Sequence, residues 1–301
     1  ASAVTQAVLA TLKPGDHMLF DVGTYYEFAS IFVAFGRRWG VAVDRVDLAD
    51  LDAVGRALQP GRTRLVWLEC PTNPLWRVPD IAAVAALAHD AGALLLVDAT
   101  AATPVLCTPL GLGADLVLHS GTKYLNGHGD VLAGVLVTAA TGPAWQEIAA
   151  ARTQHGSVLS PFEGWLLLRG MRTLALRMER ISASCLRIAQ ALTTHPAVTA
   201  VHYPGLECDR WHAIAAKQFT GGFGGMLSFE TGETAEAALA VLGRLGVFRR
   251  ATSLGSTESL AEHRWTTEGP GSLCPPTLIR LSVGLEDPID LIDDLAQALR
   301  G

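Results

Sequence analysis

Leu116-Val117-Leu118-His119-Ser120-Gly121-Thr122-Lys123-Tyr124-Leu125-Asn126-Gly127-His128 is the stretch on which the reading of this chain turns. A short apolar run stops at Ser120, two hydroxyls bracket a glycine, and a lysine follows at once. Such a run, bounded by turn residues, reads as a buried strand. The lysine just past its end is placed to act as a nucleophilic amine that holds an aldehyde cofactor as a Schiff base. Ser120 and Thr122 offer hydroxyls to that cofactor's phosphate. The plain alternative is a surface lysine after a strand with two turn hydroxyls, and the motif taken alone favours it.

A second run changes the balance. Leu94-Leu95-Leu96-Val97 reads as a fully buried strand and ends on Asp98. A carboxylate at the C-terminal end of a central strand points into the crevice where open α/β sheets bind ligands. Pyridoxal 5'-phosphate needs such a group, because its ring nitrogen must stay protonated for the ring to act as an electron sink. One helix-plus-strand interval separates Asp98 from Lys123, enough for a βα unit to bring both to the same edge. Further upstream, His17–Phe20 and Leu65–Leu68 read as strands and Phe28–Trp39 as a helix. A helix over Ile81–His89 is capped by Asp80 and stopped by Gly92. Alternating strands and helices predict a mostly parallel sheet, with Asn73, Asp98 and Ser120–Lys123 at one edge.

Beyond this, a long helical pattern over Thr173–Leu192 bridges to a second half of shorter strands, such as Gly225–Phe229, and helices. The last helix, Ile289–Leu299, is amphipathic, with Asp290, Asp293 and Asp294 assigned to its solvated side. A large domain over 1–170 and a smaller α+β domain over 171–301 follow. Trp165, Trp211 and Trp265 read as core or interface aromatics. The chain has 301 residues, half of them apolar, only 17% charged, and a formal net charge of −6. That length accommodates two domains, and the acidic balance argues against binding a nucleic-acid backbone. No apolar run reaches membrane-spanning length. The five scattered cysteines suit neither a disulfide framework nor a metal site, and point to a reducing cytoplasm.

These stretches, with Glu69-Cys70-Pro71-Thr72-Asn73-Pro74, Leu159–Phe162, Leu167–Gly170, Ser253-Leu254-Gly255, Glu258-Ser259-Leu260 and Leu278–Gly284, resemble in order and spacing the trans-sulfuration (Cys/Met metabolism) family of pyridoxal-phosphate enzymes. Cystathionine γ-synthases, cystathionine γ- and β-lyases and methionine γ-lyases make up that family. The resemblance covers essentially the whole chain. It implies the fold type I, aspartate aminotransferase-like architecture, a small amino-acid substrate, and homo-oligomers built as dimers of dimers. It also implies a preceding segment of several dozen residues, so the chain is expected to be N-terminally incomplete.

Position by position, the resemblance implies that Lys123 holds the cofactor and moves protons, Asp98 pairs with its ring nitrogen, and Ser120 and Thr122 bind its phosphate. Tyr25 stacks on the ring, although a shifted alignment gives that place to Asp21 or Val22. Asn73 meets the cofactor's phenolate oxygen and the substrate carboxylate, the alternative being an Asn-Pro turn. Arg280, inside an apolar strand, needs an anionic partner. It suits the substrate's α-carboxylate, or else a salt bridge to a structural acid. Ser253 and Glu258 line the substrate pocket, Glu258 toward the distal ammonium of cystathionine. Leu254 leans toward γ chemistry on an acyl-homoserine or cystathionine, and Glu27 counts against methionine γ-lyase activity. Cystathionine β-lyase, another carbon–sulfur lyase, an aminotransferase, and a catalytically incomplete paralogue or fragment are the alternatives.

Overall fold

Strand alternation divides the first half of the chain between two cores. In the computed structural model, which describes residues 2–269 and 273–300, six strands form one sheet: β1 (His17–Asp21), β2 (Ala42–Val46), β3 (Thr63–Glu69), β4 (Leu94–Asp98), β5 (Leu116–Ser120) and β6 (Gly134–Thr138). Their order is β2-β1-β3-β4-β5-β6, all parallel except β6, which runs antiparallel to β5. Leu19, Val66, Leu68, Leu95, Val97 and Val117 face one apolar layer. Met18, Phe20, Leu65, Trp67, Leu96, Leu116 and Leu118 face the other. With both faces covered, these strands read as continuous apolar runs rather than alternating ones.

The connection between β3 and β4 shows how local chemistry fixes the strand ends. The Asp80 carboxylate accepts from the Ala83 N–H at 3.1 Å and caps the helix Ile81–Asp90. Ile81, Val84, Ala85 and Ala88 are that helix's buried residues, at helical spacing. Gly92, at φ 77, makes the left-handed turn that leads into β4. Parallel pairing then brings the C-terminal ends of β1, β3, β4 and β5 to one edge, with Glu69 in register with Asp98.

A second, five-stranded sheet follows: β7 (Val198–His202), β8 (Met226–Thr231), β9 (Arg249–Arg250), β10 (Leu260–His263) and β11 (Leu278–Ser282). Its order is β7-β8-β11-β10-β9, antiparallel except for the β9–β10 pair. The helix Leu174–Thr193 packs on β7 and β8 through one apolar stripe, Leu174, Met178, Ile181, Cys185, Ile188 and Leu192. One expectation is corrected here. Asp294 in the last helix, Pro288–Leu299, is not solvated but 7% exposed. Its carboxylate accepts from the N–H groups of Gly246, Val247 and Phe248, whose peptides end a loop and would otherwise be unmet. Among the tryptophans, Trp211 is buried and Trp165 is 56% exposed, stacked with the exposed Phe162. No helix among the described residues is long and apolar enough to cross a membrane.

The segment after Lys123 is clamped from the second half. Arg177 donates to the carbonyls of Tyr124 (2.8 Å), Leu125 (3.3 Å) and Gly170 (2.9 Å). At Gly170 the helix Pro161–Met171 presses on the Asn126 carbonyl so closely that an added Cβ would lie 2.2 Å from its oxygen. Gly170→Ala must push two backbones apart, so we expect a loss of about 2 kcal/mol or more, read as a lowered denaturation midpoint. A midpoint unchanged from wild type would contradict this contact.

Candidate active site

Lys123 lies where β5 gives way to a short turn of π-helical type, Gly121–Leu125, and it alone departs from helical geometry there (φ −92, ψ −133). Its Nζ donates to Ser253 Oγ at 3.2 Å, reaching from the first sheet to a loop before β10. Burial, then the positive charges of Arg280 and Arg264, lower the pKa of this amine. A neutral amine is what a nucleophile or proton acceptor requires.

Asp98 ends β4 and is buried. Its Oδ1 accepts from the Thr100 N–H at 3.0 Å and the Thr100 hydroxyl at 2.5 Å, and Thr100 Oγ1 accepts in turn from the Ser120 N–H at 2.8 Å. This relay fixes the end of β4 against the end of β5 and leaves Asp98 Oδ2 for another donor. Burial pushes the Asp98 carboxyl up to about 6, with the Thr100 bonds pulling the other way. Two more buried acids stand beside it. Asp21 is raised to about 6 by burial, and Glu69 is raised well above its usual range by burial and then by the Asp98 charge. Glu69 Oε2 accepts from the Tyr25 N–H at 2.9 Å, which places Tyr25 at this edge.

Arg280 crosses from the second sheet. Sitting on β11 at 2% exposure, it donates from Nη1 to Asn73 Oδ1 at 3.3 Å and from Nη2 to the carbonyls of Thr252 (2.7 Å) and Ser253 (3.0 Å). Its Nη2 also pairs with Glu262 Oε2 at 2.5 Å, so the structural acid that the sequence left open is present. Its Nε is buried without a partner among the described residues. Burial lowers the Arg280 pKa to about 10, with Glu262 countering.

The structure therefore gathers Lys123, Ser253, Arg280, Asn73, Asp98, Ser120 and Tyr25 at one edge. Two expected residues sit differently. Thr122 Oγ1 already accepts from the Ala133 N–H at 3.1 Å and lies 3.4 Å from the Ala133 carbonyl. Glu258 is 48% exposed and pairs with Arg249 at 3.0 Å, outside the Lys123 group. Four residues that the sequence reading passed over take part: Glu69, Arg177, Glu262 and Arg264. The last two are buried at 5% and 2%. Charged residues in a loop-like run carry no sequence signal of burial.

Comparison with known proteins agrees with this geometry. Residues 1–300 match the family described as Cys/Met metabolism PLP-dependent enzyme, PLP being pyridoxal 5'-phosphate. The chain belongs to this family. It is 45% identical to a cystathionine gamma-synthase of Mycobacterium tuberculosis over 99% of this chain and 77% of the relative. It is 40% identical to a cystathionine gamma-lyase of Bacillus subtilis, over 99% and 79%. The structure of a cystathionine gamma synthase from Xanthomonas oryzae pv. oryzae in complex with aminoacrylate and cysteine superposes with a TM-score of 0.94 at 36% identity, covering 99% of this chain and 79% of that one.

The residues present fit the family's cofactor. A half-buried amine, a buried carboxylate with one oxygen still open, and a buried guanidinium N–H without a partner provide for an aldehyde, a ring N–H and an anion. The fold is the α/β, PLP-dependent architecture of these relatives, a mostly parallel sheet and a second sheet. Glu262 is the charge on which the buried arginines rest, since breaking a buried pair leaves an uncompensated charge. Glu262→Ala is expected to destabilise the fold by roughly 3–5 kcal/mol, measured by denaturant unfolding. A loss under ~1 kcal/mol would contradict the burial of this pair.

Proposed function

We propose that this chain catalyses γ-replacement on an acyl-homoserine, with the thiol of cysteine as incoming group, giving cystathionine. The observation that carries this reading is the convergence of Lys123 Nζ, Ser253, Arg280 and Asn73 across two sheets, in a chain whose relatives include cystathionine gamma-synthases. γ-Elimination from cystathionine is the second reading, supported by the 40% identity to a cystathionine gamma-lyase. In this proposal the chain divides near residue 170 into a cofactor-binding part and a smaller part that supplies Arg280 and Ser253.

Lys123 would hold the cofactor's aldehyde carbon, Asp98 its ring nitrogen, Asn73 its ring oxygen, and Tyr25 would lie along its ring. Ser120 and Thr122 would meet the phosphate, Thr122 by giving up its long contact with Ala133. Pyridoxal 5'-phosphate, when bound, supplies an electron-poor ring that takes up the electron pair left at the amino acid's α-carbon. The chain's own residues do the rest. Arg280 grips the α-carboxylate with its free Nε. Asn73, already held by Arg280, orients the same end of the substrate. Once the substrate's amine has replaced it on the aldehyde carbon, Lys123 Nζ, its pKa lowered by burial, would take the proton from the α-carbon and return protons along the chain. Ser253 accepts a hydrogen bond from that amine and holds it at the substrate. Glu258 would reach a distal ammonium only by leaving Arg249.

For assembly we propose a homo-oligomer, a dimer of dimers, supported by the exposed Phe162, Trp165, Leu168, Met171 and Leu176. The five scattered cysteines, none of them in a disulfide among the described residues, support a reducing location, the cytoplasm.

The test is an assay of cystathionine formation from cysteine and an O-acyl-homoserine, alongside 2-oxobutyrate release from cystathionine. Cystathionine as main product supports the proposal; 2-oxobutyrate without cystathionine favours the second reading, and neither product overturns both. Arg280→Lys keeps the charge but loses the Nε–H assigned to the α-carboxylate, so kcat/KM is expected to fall roughly tenfold to a hundredfold at unchanged cofactor content. The pH dependence has a definite sign. Above about 6 the Asp98 carboxylate of the cofactor-free protein is ionised and attracts a protonated ring nitrogen. As pH falls through that value the attraction is lost, so cofactor affinity drops on the acid side. Equilibrium dialysis across this range checks it, and Asp98→Asn is expected to remove the Asp98 step.

A further inference from the structure

Residues 72–77 form one tight loop after β3. The Trp76 N–H donates to the Thr72 carbonyl at 2.8 Å, and the Thr72 N–H donates to the Arg77 carbonyl at 2.9 Å. Thr72, Asn73, Pro74, Leu75 and Arg77 line a cleft of about 210 Å³. Trp76 goes instead into the core built mostly by the second half of the chain, the buried cluster that holds Ile181, Leu227, Phe229 and Ile279. Its side chain is 1% exposed. To reach that core its backbone takes φ 53, a left-handed conformation that a bulky residue rarely adopts. Such strain persists only where the surrounding contacts over-determine it.

The contact that fixes the indole is polar. Trp76 Nε1–H donates to Ser228 Oγ at 2.9 Å, and that hydroxyl donates to the Pro74 carbonyl at 2.7 Å. A buried indole N–H needs such a partner, and here the partner's own hydrogen is aimed back at the loop. Ser228 lies fully buried on β8, directly opposite Arg280 on β11, so both side chains leave the same face of the second sheet. Arg280 Nη1 donates to Asn73 Oδ1 at 3.3 Å. The second sheet therefore holds the loop at two consecutive residues, Arg280 at the Asn73 side chain and Ser228 at the Pro74 carbonyl.

We propose that Trp76, acting through Ser228, is a positioning residue that fixes the Asn73 amide where the cofactor's ring oxygen binds. The inference rests on the role given to Asn73 under Proposed function. With Oδ1 committed to Arg280, the amide N–H groups are what Asn73 offers to that oxygen. An N–H on the ring oxygen stabilises its negative charge, so the proton on the nitrogen that joins Lys123 to the cofactor is held less tightly. Without the indole N–H, the Ser228 hydroxyl loses the donor that aims its hydrogen at Pro74. The loop is then left to the single Arg280 bond, whose length is beyond the usual range for N–H···O.

A base titration of the cofactor-loaded protein, followed by its visible absorbance, reads the proton on the Lys123 nitrogen without turnover. Trp76→Phe keeps an aromatic ring and removes the N–H; Ser228→Ala removes the hydroxyl. Each is expected to move the titration midpoint up by roughly half a pH unit or more. The double variant is expected to move it no further than the larger single one, because both cut the same chain of bonds. Asp294→Ala, which destabilises the fold from the last helix, is expected to lower the denaturation midpoint and leave the titration midpoint alone. Asn73→Ala is expected to shift the titration at least as far as Trp76→Phe. No shift in Asn73→Ala would refute the role of Asn73 and the proposal with it. A shift in Asn73→Ala with wild-type midpoints in Trp76→Phe or Ser228→Ala would overturn the proposal and leave the role of Asn73 standing. If Trp76→Phe does not fold, Ser228→Ala carries the comparison.

Discussion

The site depends on one buried guanidinium. Arg280 belongs to the second sheet, yet its hydrogen bonds end on Asn73 after β3 and on the carbonyl of Ser253, whose hydroxyl accepts from Lys123. Asn73 and Ser253 are tied to this contact directly, and Lys123 through Ser253. A buried charge of this kind is costly unless it is paired and fully hydrogen-bonded. Glu262, two carbonyls and an amide pair most of it and leave Nε over. An apolar core alone would join the two sheets without specifying this alignment. The polar contact adds register, because few arrangements satisfy so many donors at once.

The opposite charge is assembled in the same way. Asp21, Glu69 and Asp98 end adjacent parallel strands, and parallel register forces their carboxylates onto one edge. Burial raises all three pKa values. Such a group of acids is unfavourable for the isolated fold and favourable for a ligand that brings a positive ring N–H, the usual exchange of stability for function at a binding site.

The sequence reading succeeded where physics is local. Leu94–Val97 and Leu116–Leu118 are strands because both sheet faces are covered, which yields uninterrupted apolar runs. Asp80 and Gly92 mark a helix start and a turn through their own backbone chemistry. Once β strands alternate with helices, Asp98 and Lys123 must reach a common edge, and they do. It fell short where partners are distant in sequence. Asp294 looked like one of three solvated acids, but its carboxylate meets three N–H groups some 46 to 48 residues away in sequence. Glu262 and Arg264 flank His263 in a run that any composition rule assigns to the surface; β10 pairing sets Glu262 opposite Arg280 on β11, and Arg264 is held by its bonds to Glu262 and Glu268. Arg177 is one arginine among several in its helix, singled out by the carbonyls that the Lys123 turn leaves open.

The central claim is that Lys123, and no other amine, holds the cofactor. The chain has three lysines, Lys13, Lys123 and Lys217, and Lys217 is paired with Asp80 at 2.8 Å. Borohydride reduction of the cofactor-loaded protein, followed by digestion and mass spectrometry, reads the attachment site directly. A pyridoxyl group found on the peptide containing Lys123 alone is the predicted result. Label on Lys13 or Lys217, or on no peptide at all, would contradict the account.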